Sequence, residues 1–319
     1  MIELLIDNRD GVVLAIPVAS FSWTTTRNEV GEFEAELVIK RNTGIEVVAG
    51  AVVRVKDGPI GIFYGYVFEV SGDDTEIVKI KAYDQMRYLK NVDTFVFPAQ
   101  KASDTVKKVA THFGLKLGNI EDTIQVLPAL VEDEQEGLDV IMKHLHASLL
   151  TYMRFFNIYD DFGKLALKGV HKSAIKPEEL FIGDKSLMES YEWSHNISEA
   201  VNRVKLVQDN KETNKREVYI AQDSGNIAKW GLLQQFENVD EKLKPAQIKA
   251  MADNIIKNKN RIDKKMSVTC IGNWAARAGR MIPVYLAEQK INYHMMIEKC
   301  VHSYEGGIHR MELEMKVVT

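Results

Sequence analysis

The sequence predicts a mainly β protein, with two β-barrel or sandwich domains flanking a small α+β middle unit. Three observations carry this. Residues 1–92 hold short runs of alternating hydrophobic and polar residues separated by turn signals. From residue 93 the apolar spacing changes to the three and four of amphipathic helices. Residues 279–317 return to strand and carry the cleanest alternation in the chain. There Met311, Leu313, Met315 and Val317 share one face, and Arg310, Glu312, Glu314 and Lys316 the other.

The elements follow in order. In the first domain 12–16 and 21–26 are extended runs, and Phe33, Ala35, Leu37 and Ile39 alternate with Glu34, Glu36 and Val38. Val53 and Val55 alternate with Arg54 and Lys56 before Asp57-Gly58-Pro59 turns the chain into a long strand over 60–70. Gly72-Asp73-Asp74 turns it again into 76–83, where Val78, Ile80 and Ala82 face away from Lys79 and Lys81. Gly61 and Gly65 inside the long strand predict a bulge or a close backbone approach. In the middle unit Ser103 reads as the N-cap of a helix carrying Val106, Val109, Ala110 and Phe113, closed by Gly114. A second helix covers roughly 135–150, with Leu138, Ile141, Met142, Leu145 and Leu149 as its stripe. Residues 152–160 and 164–168 read as a strand pair turned by Asp161-Phe162-Gly163. In the last domain strand signals resume near Asn202, and Glu217–Ala221 follows a polar turn. Pro245 opens a helix with Ile248, Met251, Ala252, Ile255 and Ile256 on one face. Residues 266–271 return to strand, and Gly306-Gly307 can supply the positive φ values of a hairpin turn. The order strand, long strand, alternating strand over 51–83 recurs over 280–317, as expected if the first and last domains are versions of one β fold.

Composition removes several classes of function. Hydrophobic residues at 45% and charged residues at 27% suit an ordinary folded protein, and a net charge of −4 gives no global attraction to nucleic acid or anionic membrane. The N-terminus lacks the basic region and cleavage site of a signal peptide, and no apolar run approaches the roughly 18 residues of a spanning helix. The chain is therefore expected to be made in the cytoplasm. Cys270 and Cys300 sit in strand-like runs and read as buried thiols.

There is no G-x-G-x-x-G, no G-x-x-x-x-G-K-[ST] and no G-x-S-x-G. His144 and His146 would point about 200° apart on a helix, too far to share an ion, and are expected at the surface or boundary. His294, His302 and His309 lack an Asp or Cys partner at ligand spacing. Glu132, Asp133, Glu134 and Glu136 read as the acidic N-terminus of a helix, and Lys257, Lys259, Arg261, Lys264 and Lys265 as its counterpart at a helix C-terminus. Trp193, Trp230 and Trp274 read as buried anchors. No catalytic residue, cofactor site or metal site is expected.

Four stretches carry a resemblance. They are V-K-I-K-A-Y-D-Q-M-R-Y-L-K-N over 78–91, D-S-G-N-I-A-K-W-G over 223–231, Gly272-Asn273 with A-G-R-M-I-P-V over 278–284, and the hairpin from Val301-His302-Ser303-Tyr304 to Leu313. In this order they resemble the XkdQ-type baseplate hub proteins of contractile phage tails and of related defective-prophage or tailocin particles. Trp230 stands where that family more often has tyrosine, Asn226 breaks an S-I pair, and Arg277-Ala278-Gly279-Arg280 replaces R-P-G-D.

The resemblance implies a non-enzymatic structural hub with two tube-type domains, 1–92 and 191–319, about a middle domain 93–190. Residues 183–209 are a place where the chain can pack back on the first domain. It implies a homotrimer that imitates a ring of six and joins a six-fold tail tube protein to a three-fold spike protein among other baseplate proteins. No sequence-specific nucleic-acid contact is implied, DNA passing through the lumen only if the particle is a phage, and assembly in the bacterial cytoplasm would precede incorporation into the particle. A chain ending on its best strand fits a ring in which a long tail would interfere. The interface residues so implied are Tyr83, Asp84, Tyr88, Trp230, Trp274, Arg277, Arg280, His302 and His309. Alternatives from other classes are a cell-wall hydrolase centred on 132–136 and a carbohydrate- or receptor-binding β module using its tryptophans.

Overall fold

The computed structural model describes residues 1–318 apart from 12, 41–43, 185, 211–214, 240 and 242. Val12, the expected start of a strand, Thr319, and part of the polar turn before Glu217 thus lie outside the described residues. The first part of the chain forms β1 (Ile2–Asp7), β2 (Val13–Ala15), β3 (Val18–Thr26), β4 (Glu32–Val38), β5 (Val52–Asp57), β6 (Ile60–Gly72) and β7 (Ile77–Tyr83). Alternation sorts these strands as expected: Phe33, Ala35 and Leu37 of β4 are buried with Ile6, Val53, Val55 and Ile80, while Glu34 faces solvent. The β5–β6 register shifts between Val55 and Lys56, beside Gly61. A Cβ on Gly61 would lie 2.6 Å from the Phe162 ring, so this glycine admits a side chain from the middle unit.

The middle unit comprises β8 (Val92–Phe97), β9 (Gln100–Lys101), α1 (Ala102–His112), β10 (Leu117–Ile120), β11 (Val126–Leu127), β12 (Leu130–Glu136), α2 (Gly137–Tyr152), β13 (Phe156–Asp160) and β14 (Leu165–Gly169). Both helices pack with the sheet β10-β14-β13 around Val106, Val109, Leu138, Ile141, Ile158 and Leu165. Three local expectations are corrected. Lys101, which pairs with Val126, is the N-cap of α1, and Ser103 sits inside the first turn exchanging hydrogen bonds with Thr123. The acidic residues 132–136 lie on β12, paired antiparallel with β8, so of the run only Glu136, the N-cap of α2, stands at the helix N-terminus. His144 is buried, because α2 also buries Val140, His144 and Ser148, a second row at i, i+4 and i+8. Thr105 Oγ1 of α1 lies 2.6 Å from His144 Nδ1, whereas His146 is exposed.

The rest of the chain forms β15 (Ile182–Gly183), β16 (Met188–Asn196), β17 (Arg203–Asn210), β18 (Lys215–Gln222), α3 (Ser224–Trp230), β19 (Gln234–Asn238), α4 (Pro245–Lys259), β20 (Asp263–Ile271), β21 (Met281–Leu286), β22 (Ile291–Glu305) and β23 (Ile308–Lys316). A satellite sheet β18-β17-β19 packs Val204 and Leu206 on Ile248, Ala252 and Ile255 of α4. Residues 183–209 do not return to the first domain by strand pairing: β16 pairs with β20, and β17 belongs to the satellite. Met188 and Tyr191 instead pack on the core of β20, β22 and β23.

Thirteen strands share one sheet, whose path is β16-β20-β23-β22-β3-β4-β7-β6-β5-β1-β2, with β21 beside β22 and β15 beside β21. Two like meanders meet in it, β5-β6-β7 and β21-β22-β23, each with a long central strand. The last turn is two residues long, Glu305 pairing with Ile308, and Gly306 and Gly307 take φ of 56° and 82°. Met311, Leu313 and Met315 are buried under it while Glu312 and Glu314 are exposed. Each such buried side chain contributes roughly 1.5–3 kcal/mol. Leu313→Asp should therefore abolish soluble folded protein, an unpaired carboxylate costing more than the roughly 2–5 kcal/mol of a lost leucine. Glu312→Ala, one residue along on the wet face, should leave the thermal midpoint nearly unchanged in a melt followed by circular dichroism.

Candidate assembly interface

The two halves of the sheet meet where β22 runs antiparallel to β3, from Lys299 opposite Thr26 to Glu305 opposite Ser20. Alternation puts Phe21, Trp23 and Thr25 of β3 and Cys300, His302 and Tyr304 of β22 on the inner side of this seam. The Trp23 and His302 rings stack at 5.2 Å, and those of Phe21 and Tyr304 at 5.3 Å. Burial pushes the Cys270 thiol up to about 12 and raises Cys300 further, so both stay protonated.

His302 has no exposed surface. Its Nε2 lies 2.9 Å from Ala276 O, which can only accept, so Nε2 carries the proton. Nδ1 then accepts from His309 Nε2 at 2.9 Å. His309 stacks on Trp274 at 3.6 Å, and Trp274 Nε1 donates to Asp57 at 3.2 Å. Burial lowers His302 to about 3 and His309 to about 4, with Asp57 opposing the shift of His309 and Arg277 adding to that of His302.

The loop 272–280 ties this seam to the middle unit. Arg277 donates to Asp160 O at 2.7 Å and lies 4.4 Å over the Tyr159 ring. Ala278 N donates to Thr25 Oγ1 at 3.0 Å, and Asn157 Nδ2 donates to Gly279 O at 2.6 Å. From the first half, Asn28 Oδ1 accepts from Ile158 N at 2.9 Å and Gln85 Nε2 donates to Asp160 at 2.9 Å. Asp84 accepts from Gly31 N and Met86 N at 2.8 and 2.9 Å. Burial, reinforced by Asp160, raises the Asp84 carboxyl well above its ordinary range. Burial raises Asp160 to about 6 against hydrogen bonds from Gly163 and Gln85 and the charge of Arg277.

Of the residues singled out from the sequence, Trp274, Arg277, Arg280, His302 and His309 come together on or beside this loop, where Arg280 donates to Ala275 O at 2.8 Å. Asp84 joins them through Asp160. Tyr83 and Tyr88 are half-buried elsewhere, in an aromatic group with Tyr66 and Phe68 beside the outer half of β6. Trp230 stands apart, half-buried at the end of α3. Trp193, expected as a buried anchor, is 48% exposed on β16, because its strand has a neighbour on one edge only among the described residues. Phe68, 41% exposed, carried no signal beyond its place in an alternating strand.

The outer face of the sheet is polar. A depression of about 460 Å³ over β22, β3, β4, β7 and β6 is lined by Glu34, Glu36, Glu69, Lys79, Lys81 and Glu305. Lys81 bridges Glu32 and Glu34 at 2.7 and 3.0 Å, and Lys79 meets Glu36 at 3.1 Å. A second depression of about 230 Å³ over β16, β20, β22 and β23 carries Glu192, Lys299, Glu312 and Glu314. Among the described residues no three His, Cys, Asp or Glu side chains are placed to hold a metal ion, and no helix is long and apolar enough to cross a membrane.

A long sheet of two like halves, braced by an α+β unit, is the architecture of phage tail and baseplate proteins. The same fold occurs in the 43 kDa tail protein of prophage MuSo2 from Shewanella oneidensis, with a TM-score of 0.72 and 14% identity over 98% of each chain. It occurs also in the E. coli c3393 protein, with a TM-score of 0.61 and 8% identity over 99% of this chain and 76% of that one. The chain belongs to the YQBQ-like family, which it matches over residues 21–316. A relative is the phage-like element PBSX protein XkdQ of Bacillus subtilis (strain 168), 26% identical over 288 residues, 88% of this chain and 86% of that one. The family resemblance read from the motifs is thus borne out.

The pair His302 and His309 makes stability depend on pH with a defined sign. Both are neutral in the fold, whereas unfolded imidazoles gain protons below their ordinary 6.5. Stability is therefore complete above that pH and lost as pH falls from 6.5 towards 4 and 3. Asp160, held up to about 6, acts in the opposite sense as pH falls from 6 towards its ordinary 3.8. Comparison with His309→Gln, which keeps a donor for His302, isolates the imidazole part. Calorimetric melts should show a smaller loss of thermal midpoint between pH 7 and pH 5 in that variant than in the wild type.

Proposed function

We propose that the protein is the structural hub of a tail baseplate, a homotrimer that joins a six-fold tail tube to a three-fold spike. The observation that carries this is the doubling of the meander within one continuous sheet, β5-β6-β7 and β21-β22-β23. A chain with two like halves presents six similar units in three copies. In this reading β1–β7 form one tube-type unit and β15, β16 and β20–β23 the other. The middle unit then ends near residue 173, since Ala174 already bridges to Met281.

The polar outer face lines the lumen. Its acidic excess of Glu34, Glu36, Glu69, Glu192, Glu305, Glu312 and Glu314 over Lys79, Lys81 and Lys299 repels a nucleic-acid backbone passing through it. The structure of E. coli c3393 supports the reading, since that protein is described as a component of the type VI secretion system with structural similarity to the T4 tail proteins gp27 and gp5. The work is static: no turnover is needed to adapt one symmetry to another. The acidic stretch that would serve a wall hydrolase is engaged elsewhere, Glu132 with Lys143 and Asp133 with Thr94.

Native mass spectrometry tests this directly. Three copies of the 36.2 kDa chain in one particle, seen as a ring in projection, are expected. A stable 36.2 kDa monomer, alone and with tube and spike proteins added, would sink the hub reading.

A further inference from the structure

The two halves share two of their irregularities. In β6 the register against β7 slips between Val67 and Glu69; in β22 the register against β23 slips between Ile297 and Lys299. Just before the slip each long strand is clamped by a left-handed glycine and the next residue. Gly50 N donates to Val67 O at 2.7 Å and Val67 N to Ala51 O at 2.9 Å; Gly279 N donates to Ile297 O at 2.8 Å and Ile297 N to Arg280 O at 2.9 Å. Gly50 and Gly279 take φ of 88° and 85°. The other slip is doubled too, between Val18 and Ser20 in β3 against β4, and between Met188 and Ser190 in β16 against β20. Val67 thus corresponds to Ile297 and Ser20 to Ser190, which sets Trp23 in register with Trp193.

The β5–β6 shift at Val55 has no counterpart in β21–β22, and the larger departure lies where the two halves meet. Beyond its clamp, β22 continues as Lys299–Glu305, and β3 takes that edge. Beyond its clamp, β6 continues through Glu69–Gly72, and among the described residues no strand takes that edge. β16, the counterpart of β3, pairs on one side only among the described residues, and six strands separate it from β6 in the sheet. The surfaces left bare are those covered at the seam. Trp23, stacked on His302, is 6% exposed, while Trp193 is 48% exposed, its ring 4.9 Å from that of His195. Neither bare segment carries the proline or lysine that blunts an edge strand.

We propose that Glu69–Gly72 of β6 pairs antiparallel with Trp193–Asn196 of β16 from a second copy of this chain, reproducing between chains the β22–β3 seam within one. The seam sets the register: Glu69 opposite Asn196, Val70 opposite His195, Ser71 opposite Ser194, and Gly72 opposite Trp193. The contact is heterologous, so each copy uses one edge and offers the other, and rotation closes it into a ring. This deepens the hub reading, and rests on it for the number of copies in the ring.

Disulfide trapping tests the register. Ser71→Cys/Ser194→Cys replaces two exposed serines, and both native cysteines are buried. Under mild oxidation the double variant should form covalent dimers and then a closed trimer on non-reducing gels. Each single variant, and the displaced pair Ser71→Cys/Ser190→Cys, should not. If native mass shows a trimer while the matched pair stays unlinked, the pairing is wrong and the hub reading stands. Equal linkage of the displaced pair overturns the register. A protein that is monomeric and unlinked throughout overturns both.

Discussion

Everything in this molecule depends on the antiparallel pairing of β22 with β3, which brings Glu305 against Ser20 across nearly the whole chain. Without it the sheet is two sheets, and the loop 272–280 has nothing to brace. So long a closure is entropically costly and is offset by burial along the seam, where Trp23, Phe21, Cys300 and His302 leave water together. Polar groups buried there are paired: His302 holds Ala276 O and takes a hydrogen bond from His309, and Thr25 receives one from Ala278 N. A histidine relay between strand, hairpin and loop specifies one register.

The middle unit is held by the same loop. Arg277, Asn157, Asp160, Gln85 and Asn28 connect three parts of the chain through hydrogen bonds that mostly end on backbone atoms. Such contacts fix the position of the middle unit against both halves of the sheet. The carboxyls of Asp84 and Asp160 share this buried joint, and their raised affinity for protons follows from burial more than from any neighbour.

Much of the framework was legible because it is periodic. The β23 face, the Gly306-Gly307 turn, the α4 stripe opened by Pro245 and the crowding at Gly61 all follow from spacing and glycine chemistry, and the structure agrees with each. The sequence misled where an element has more than one buried face or where pairing overrides local charge. α2 buries His144 because α1 packs on a side that the main stripe does not mark. The acidic run 132–136 became a strand because β8 pairs with it. Of the candidate site, the nearness of His302 and His309 could be read from the hairpin register. The partners Trp23, Ala276 and Asp57 could not, since no local pattern encodes a contact with a residue far away in sequence.

The sequence by itself determined which residues alternate, where the chain turns, and that its two ends carry the same succession of strands. These are local properties of backbone geometry and side-chain polarity, set within a few residues. Only the tertiary structure decided that the two ends join in a single sheet, that two long strands break register at corresponding points, and that one of their outer edges is taken while the other has no strand against it among the described residues. The reason is physical: a strand's hydrogen-bonding edges look the same in sequence whether a partner lies against them or not.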